Sequence, residues 1–524
     1  MKNIDPKATT VKKALCPFCS FGCEFGVVFD DFGISGVEYI SKGSSGGRLC
    51  PRGSAASMYL DHPRRLSTPM KKRAPSEWAK IVRELKKVVD SPKSVAVTFD
   101  RNITQEEYAS IVGFCKSAGI EDISSTYFEP EANLKPFMPK TFSMAEIEDA
   151  QTVLVLGDPF NQAPMSSRAI IDWRLKDKSH ELIVVDSINT HTAGFASRFL
   201  RVKVGTEPLL FFALAQEKTG GADVAKATGI ETSIVNEVSK VIKGAKKGLI
   251  FVCLPFAHTY DPALYAEGIA RLQSFSGMKV VPFVEFIGHD GNQNFGSIID
   301  KVKKKKTKYL LNFGELFPFY YPQVIGDLRA LNIYATSTLK YDGYNMIPVP
   351  LNLEKEGSIA TTFGKKSLSG SIEPPSGTKS IRDILGLLSG AAGKGDALKL
   401  PERKLDVAER MRRLAEVSTT KKKSFRLIGE KVAYNFLGLL EGETLKIHPQ
   451  DAAGLGITAN DLATVTSKHG SVDLPVKLTE DVNAGIVAVQ AETPSVKGLF
   501  EYQIDSGDNT INFIPTEVKI CRKE

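Results

Sequence analysis

Four cysteines near the amino terminus constrain this 524-residue chain more than any other feature. Cys16, Cys19 and Cys23 lie in CPFCSFGC and Cys50 lies in RLCPRG, which gives the array C-x2-C-x3-C-x26-C. Three thiolates on one tight loop and a fourth returning from a distance can meet in one small volume, as a cubane iron–sulfur centre requires. A zinc ribbon would more naturally use two separated C-x2-C knuckles, whereas here one side carries three cysteines and the other carries one, followed by Pro51. The spacing therefore predicts a 4Fe–4S site with Cys16, Cys19, Cys23 and Cys50 as metal ligands. A zinc site and an extracellular disulfide pattern are the alternatives.

Only seven cysteines occur in the chain, and Cys115, Cys253 and Cys521 stand far apart, as buried or incidental thiols would. The stretch before Cys16 has no apolar run and no twin-arginine signal, and nothing later reaches the length of a membrane span. A cytoplasmic, soluble protein without a membrane span is expected. A chain of this length needs more than one core, and 42% hydrophobic residues suffice to build them. The net charge of +8 is concentrated partly in runs such as Lys303 to Lys306 and Lys421 to Lys423. No aromatic residues interleave with them, so they read as solvated loops and nucleic acid is not an expected partner.

The chain divides into four stretches. Residues 1–66 form the cysteine-bearing lobe, where GVVFDDFG and GISGVEYI read as small hairpins. Residues 67–388 alternate apolar strands with amphipathic helices, the pattern of parallel α/β sheets. Within them SVAVTFD reads as a strand, and Thr104 with Glu107 forms a capping box opening a helix whose Tyr108, Ile111, Val112 and Cys115 face a core. VLVLGDPFNQAP (153–164) and YLLNFGELFPFYYP (309–322) echo each other, which suggests a duplicated doubly wound unit. Residues 389–424 read as a linker with one charged helix, VAERMRRLAEV, and residues 425–524 as an all-β barrel.

This order resembles the molybdopterin oxidoreductase family, which includes formate dehydrogenase catalytic subunits and the large iron–sulfur subunit of NADH:quinone oxidoreductase. CPFCSFGC with GGRLCPRG is similar to the family's amino-terminal cluster motif. IHPQDAAGLGITANDLATVTSKHGSVDLPV is similar to its pterin-capping barrel, with Asn460-Asp461 where a Gly-Asp turn is usual. The resemblance implies an α/β multidomain fold with an N-terminal 4Fe–4S lobe, two doubly wound α/β halves and a C-terminal double-psi-type β-barrel. IEDAQTVLVLGDPFNQAP and ELIVVDSINTHTAGFASRFLRVKVGTEPL resemble segments that approach the guanosine and phosphates of a pterin dinucleotide. On that resemblance Arg52, Gly157, Asp158, Asn161 and Asp186 are candidates for binding molybdopterin guanine dinucleotide carrying molybdenum or tungsten. Gly157 would let backbone reach the ligand, and acids at strand ends can accept from ribose or guanine donors; ordinary strand-end capping is the alternative. The family usually places an arginine just after the aspartate corresponding to Asp186, and here Ser187, Ile188 and Asn189 follow it. GHDGNQNFG (288–296) and EKEGSIATTFGKKS (354–367) resemble the matching elements of the second half.

Catalytic relatives commonly hold the metal through one protein ligand, typically Cys, selenocysteine, Ser or Asp, in the segment before the strand TVLVLG. Here that segment, ISSTYFEPEANLKPFMPKTFSMAEIEDA, has no cysteine, and the family's active-site histidine is missing. Its oxygens Ser124, Ser125, Glu129 and Glu131 read as caps and solvated carboxylates. The resemblance thus implies an electron-transfer subunit of a multi-subunit oxidoreductase, with other iron–sulfur or flavin subunits as partners and no catalytic residue of its own. A catalytic molybdenum or tungsten bis-pterin subunit of a formate dehydrogenase or carbon dioxide reductase is one alternative, and a structural scaffold is another. Arg52, directly after the fourth cysteine and its proline, adds a positive charge that favours a reduced cluster, unless it is a surface arginine.

Overall fold

The computed structural model describes residues 9–523 apart from 101, 127–129, 285–292, 316–320, 329–330, 390–404, 420–423, 434–441, 506 and 508. The chain forms two compact units that interleave along the sequence. The first takes residues 1–127, 286–402 and 508–510, and the second takes 128–285, 403–507 and 511–524. Among the described residues no helix is long and apolar enough to cross a membrane.

In the first unit, strands β1 (Thr10–Leu15), β2 (Glu24–Asp30) and β3 (Gly33–Tyr39) make a small antiparallel sheet in the order β1-β2-β3. GVVFDDFG supplies most of β2 and the turn into β3. The main sheet joins β4 (Met70–Lys72), β5 (Ala74–Pro75), β6 (Val95–Phe99) and β7 (Asp122–Ser125) to β13 (Tyr309–Phe313), β14 (Asn332–Ser337) and β15 (Tyr344–Pro348). Its order is β5-β4-β15-β14-β13-β6-β7, and the five strands from β15 to β7 are parallel. Every residue of β6 is buried, as expected of a parallel strand covered on both faces. Helices Trp78–Val89, Gln105–Ala118 and Ile381–Ser389 contribute Leu85, Phe114 and Ile384 to one core with Phe99 and Leu311. The capping box forms: Glu107 N–H donates to Thr104 Oγ1 at 3.1 Å, and Thr104 N–H donates to the Glu107 carboxylate at 2.9 Å. Cys115 is fully buried in that core. A further hairpin, β16 (Glu356–Thr361) and β17 (Gly364–Ser369), also belongs to this unit.

In the second unit, β8 (Thr152–Leu156), β9 (Glu181–Asp186), β10 (Arg198–Arg201), β11 (Leu249–Val252) and β12 (Lys279–Pro282) form a wholly parallel sheet in the order β10-β9-β8-β11-β12. Strands β18 (Phe425–Glu430), β19 (Leu445–Ile447), β20 (Leu462–Ser467), β21 (Gly470–Leu478), β22 (Ile486–Gln490) and β25 (Thr516–Arg522) close a barrel. Strands β23 (Glu501–Ile504) and β24 (Ile511–Ile514) pair beside it in sequence. Asn460 has φ +67° in the turn before β20, a left-handed conformation that asparagine tolerates where glycine is otherwise preferred. The stretch read as a linker contributes the helix Val407–Thr419, whose Met411 and Leu414 are buried against Leu209, Phe212 and Leu264. The Lys421 to Lys423 run lies outside the described residues, and Lys303 to Lys306 are exposed.

The two echoing segments do not occupy equivalent positions. VLVLGDP forms β8, the first strand of its sheet, whereas YLLNFGE forms β13, which follows β6 and β7 in its own. What they share is location. Each borders the point where strand order reverses, β8 against β11 and β13 against β6, and each ends in a positive-φ glycine, Gly157 at +94° and Gly314 at +110°. The likeness therefore reflects a shared local conformation at the carboxyl ends of parallel strands.

Candidate metal centre

The loop between β1 and β2 closes on itself. Cys16 N–H donates to Cys23 C=O at 2.9 Å and Gly22 N–H to Cys19 C=O at 3.2 Å. Cys50 begins the short helix Pro51–Ser54, and a Cβ on Gly53 would stand 3.6 Å from Cys16 Sγ, so the distant segment returns against the loop. All four cysteines are buried. Burial pushes the Cys16 and Cys23 thiols well up, and the neighbouring cysteines push them further; Cys16 responds to Cys50 and Cys19, and Cys23 to Cys16, Cys19 and Cys50. Four mutually repelling buried thiolates are stable only around a positive centre, which deprotonates its ligands outright. Among the described residues no three His, Cys, Asp or Glu side chains converge on a single ion.

Arg52 is fully buried, which removes the surface-arginine alternative, and its charge opposes the rise of the Cys16 thiol. The hairpin β16–β17, whose sequence was matched only loosely and to pterin binding, meets the cysteine loop directly. Thr362 N–H donates to Ser20 C=O at 2.7 Å, the Ser20 and Thr362 hydroxyls are 2.8 Å apart, and the Phe21 and Phe363 rings meet edge to face at 4.7 Å. Lys366 Nζ donates to Gly22 C=O and to Ser44 Oγ, both at 3.0 Å, and pairs with Glu24.

The candidate pterin residues of the second unit lie at the reversal point of its sheet. A Cβ on Gly157 would stand 1.9 Å from Cys253 C=O, so the close approach of the neighbouring strand end by itself requires glycine here. Asp158 accepts from Phe160 N–H at 3.2 Å, from Asn161 Nδ2 at 2.7 Å and from Thr192 Oγ1. Asn161 Oδ1 in turn accepts from Ala433 N–H at 3.3 Å. Asp158 is thus engaged in capping the turn that follows it, and Asn161 bridges that cap to the backbone of Ala433. Asp186 accepts from Ser187 N–H at 2.6 Å and Ile188 N–H at 3.1 Å, yet burial, with Asp158 nearby, raises it to about 7. Glu207, which no pattern in the sequence singles out, is raised to about 8 by burial, with Asp186 adding to the rise. Its Oε2 is buried with no hydrogen-bond partner among the described residues. A buried carboxyl oxygen without a partner, near the buried Asp186, fits a polar ligand such as a nucleotide base, whose edge offers both donors and acceptors.

The segment before β8, where relatives carry a metal ligand, supplies little. Ser124 Oγ donates to Ser125 C=O at 2.9 Å and accepts from Asn294 N–H at 2.8 Å, so its oxygen is committed to backbone. Ser125 is buried at the end of β7. Glu129 and the side chain of Glu131 lie outside the described residues, as does most of GHDGNQNFG.

Comparison with known proteins agrees with this geometry at both ends of the chain. Residues 9–62 match the molybdopterin oxidoreductase Fe4S4 domain, and residues 433–515 match the molydopterin dinucleotide binding domain. The F420-dependent formate dehydrogenase subunit alpha of Methanocaldococcus jannaschii is 23% identical over 304 residues, which are 48% of this chain and 44% of that protein. The NADPH-Fe(3+) oxidoreductase subunit alpha of Geobacter sulfurreducens is 24% identical over 289 residues, 47% of this chain and 34% of that protein. The chain therefore spans less than half the length of these relatives. Acetylene hydratase from Pelobacter acetylenicus has a similar fold, with a TM-score of 0.72 over 98% of this chain and 100% of that one at 14% identity. The chain thus matches domain models of the molybdopterin oxidoreductase family near both ends. It carries that family's domains for a 4Fe–4S cluster and for a molybdopterin dinucleotide.

Proposed function

We propose that this protein is an iron–sulfur electron-transfer subunit of a cytoplasmic, multi-subunit oxidoreductase, on a formate dehydrogenase-like scaffold that has lost its own metal active site. The observation that carries this reading is a contrast: the four cysteines and Arg52 are buried together, while Ser124, in the segment where a metal ligand belongs, spends its oxygen on backbone bonds. A 4Fe–4S cluster, when bound, accepts and releases single electrons. Cys16, Cys19, Cys23 and Cys50 hold it, their burial keeps water from it, and the buried Arg52 guanidinium favours the more negative, reduced state. Both curated relatives named above are alpha subunits, which supports membership of a complex with other iron–sulfur or flavin subunits. Within this reading the functional parts are a cluster lobe (1–66), α/β segments forming two doubly wound halves (67–388), a connecting stretch (389–424) and a double-psi-type barrel (425–524).

One observation favours a second reading, a catalytic molybdenum or tungsten bis-pterin subunit. Glu207 leaves a buried carboxyl oxygen without a partner near Asp186, which suits the polar edge of the guanine end of a dinucleotide. Metal and pterin analysis separates the two. Protein purified anaerobically with its native partners and holding iron and sulfide without molybdenum or tungsten supports the relay. Stoichiometric molybdenum or tungsten with released pterin overturns it in favour of the catalyst.

A further inference from the structure

The tip of a β-hairpin is ordinarily its most exposed part, because loops keep their backbone groups in water. The β16–β17 tip is the reverse: Thr361 is 1% exposed and Thr362 is fully buried. It is pressed against the stretch between Cys19 and Cys23, and each residue of that stretch is engaged. Ser20 is bonded through both backbone and hydroxyl to Thr362, and Phe21 meets Phe363. Gly22 gives its carbonyl to Lys366, and a Cβ there would stand 3.0 Å from Thr361 Cγ2. The root of the hairpin is fixed just as firmly. Ser358 N–H donates to the Glu106 carboxylate at 2.7 Å, Lys355 pairs with Glu107 at 2.9 Å, and Arg65 grips both oxygens of Glu354 at 2.7 Å. An element rooted in charge pairs at one end and buried at its tip against three consecutive loop residues has little freedom to move.

We infer that the β16–β17 hairpin is a clamp on the cluster loop, in which Thr362 and Lys366 are positioning residues that hold Cys19 and Cys23 in ligating geometry and shield the centre from solvent. The inference rests on the cluster reading and adds to it a second element, more than 300 residues away in sequence, on which cluster retention and potential depend. Lys366 brings a cation to the backbone of the loop, and its loss leaves Glu24, beside Cys23, without its ion pair. A more negative surrounding disfavours the reduced state, so the potential falls.

The test uses the full chain purified anaerobically, with Thr362→Val, which keeps the side-chain shape without the hydroxyl, Thr362→Ser as the conservative control, and Lys366→Met. Two quantities are read: iron release to a ferrous chelator, and midpoint potential from a titration followed by electron paramagnetic resonance. Thr362→Val is expected to release iron at least about tenfold faster than the parent, equivalent to about 1.4 kcal/mol, with Thr362→Ser close to the parent. Lys366→Met is expected to titrate at a lower potential. Parental release rates and potentials in Thr362→Val and Lys366→Met, with the parent holding its cluster, overturn the clamp alone. Stoichiometric zinc without iron in the parent overturns the cluster reading and the clamp with it.

Discussion

Replacing Lys355 by methionine should strand a carboxylate inside the first unit. Lys355 Nζ donates to Glu107 at 2.9 Å and to Asn102 C=O at 2.6 Å, and the two charged side chains are 4% and 9% exposed. At an effective dielectric of 20 the direct attraction at this separation is about 6 kcal/mol, and removing one partner of a buried pair costs about 3–5 kcal/mol. Glu107 keeps one donor in Thr104 N–H, which places the expected loss near the lower end, about 3 kcal/mol. The double variant Lys355→Met, Glu107→Gln buries no charge and keeps an acceptor for Thr104, so it should cost about 1 kcal/mol, a coupling of about 2 kcal/mol or more in a double-mutant cycle. The chain's two tryptophans allow a unit-specific assay. Trp78 belongs to the first unit, where its ring N–H donates to Gly377 C=O, and Trp173 belongs to the second. In a Trp173→Phe background, urea unfolding followed by Trp78 fluorescence should show the Lys355→Met midpoint lowered by about 1.5 M for a slope of about 2 kcal/mol/M. A shift below about 0.3 M, or a double variant whose loss equals the sum of the singles, would refute the reasoning.

Three further outcomes are expected. The purified chain should hold about four iron and about four sulfide atoms, and Cys50→Ala should lose them and disorder residues 16–66, because the four buried cysteines tie the loop at 16–23 to the segment at 50 only through the metal centre and its binding energy is folding energy; a full paramagnetic signal in that variant would place the fourth ligand elsewhere. Glu207 and Asp186 are raised by burial to about 8 and about 7, above their ordinary values of 4.5 and 3.8, so the folded state binds the extra protons and the stability they confer is lost as pH rises from about 4 through about 8. Glu207→Gln in dinucleotide-free protein should therefore reduce the fall in Tm of the second unit between pH 6 and pH 9, and an unchanged fall would contradict the assignment. Ser125→Ala should leave turnover of the whole complex nearly unchanged while Cys19→Ala interrupts it; a thousandfold loss from the serine change, with folding and cluster intact, would favour the catalytic reading.

The features that could be read from the sequence were those fixed by local chemistry. Cys16, Cys19 and Cys23 share a tight loop whose hydrogen bonds join residues a few positions apart, and the Thr104 and Glu107 capping box spans a single helical turn. The left-handed turn at Asn460 is equally local. Asp158 is ambiguous by nature, because a carboxylate at a strand end caps the following turn with the same oxygens it would offer a ribose; only the placement of Phe160, Asn161 and Thr192 decides. Glu207 stayed hidden because nothing in GTEPL reveals that its carboxylate is buried with one oxygen left open. The interleaving of the units and the partnership of Ser20 with Thr362 are long-range properties that no window of periodicity contains. The charged helix within 407–419 was visible, but its docking depends on Leu209, Phe212 and Leu264 far upstream.

The separation of Ser20 from Thr362 also sets an order of events at the ribosome. The cysteine loop emerges first, and the residue that covers it follows 342 positions later. At about 5–20 residues per second, the loop waits roughly 20–70 s before its cover is synthesised. During that interval β6 and β7 are also waiting for β13 to β15, because the five strands of the second unit's parallel sheet are translated between them. Through that interval the nascent chain therefore carries the Ser20 to Gly22 loop without its hairpin partner, and a half-built sheet. In that interval iron and sulfide would reach the loop without displacing the hairpin tip, and an oxidant would meet the same loop. Slowing translation upstream of Glu356 would lengthen both the opportunity and the hazard.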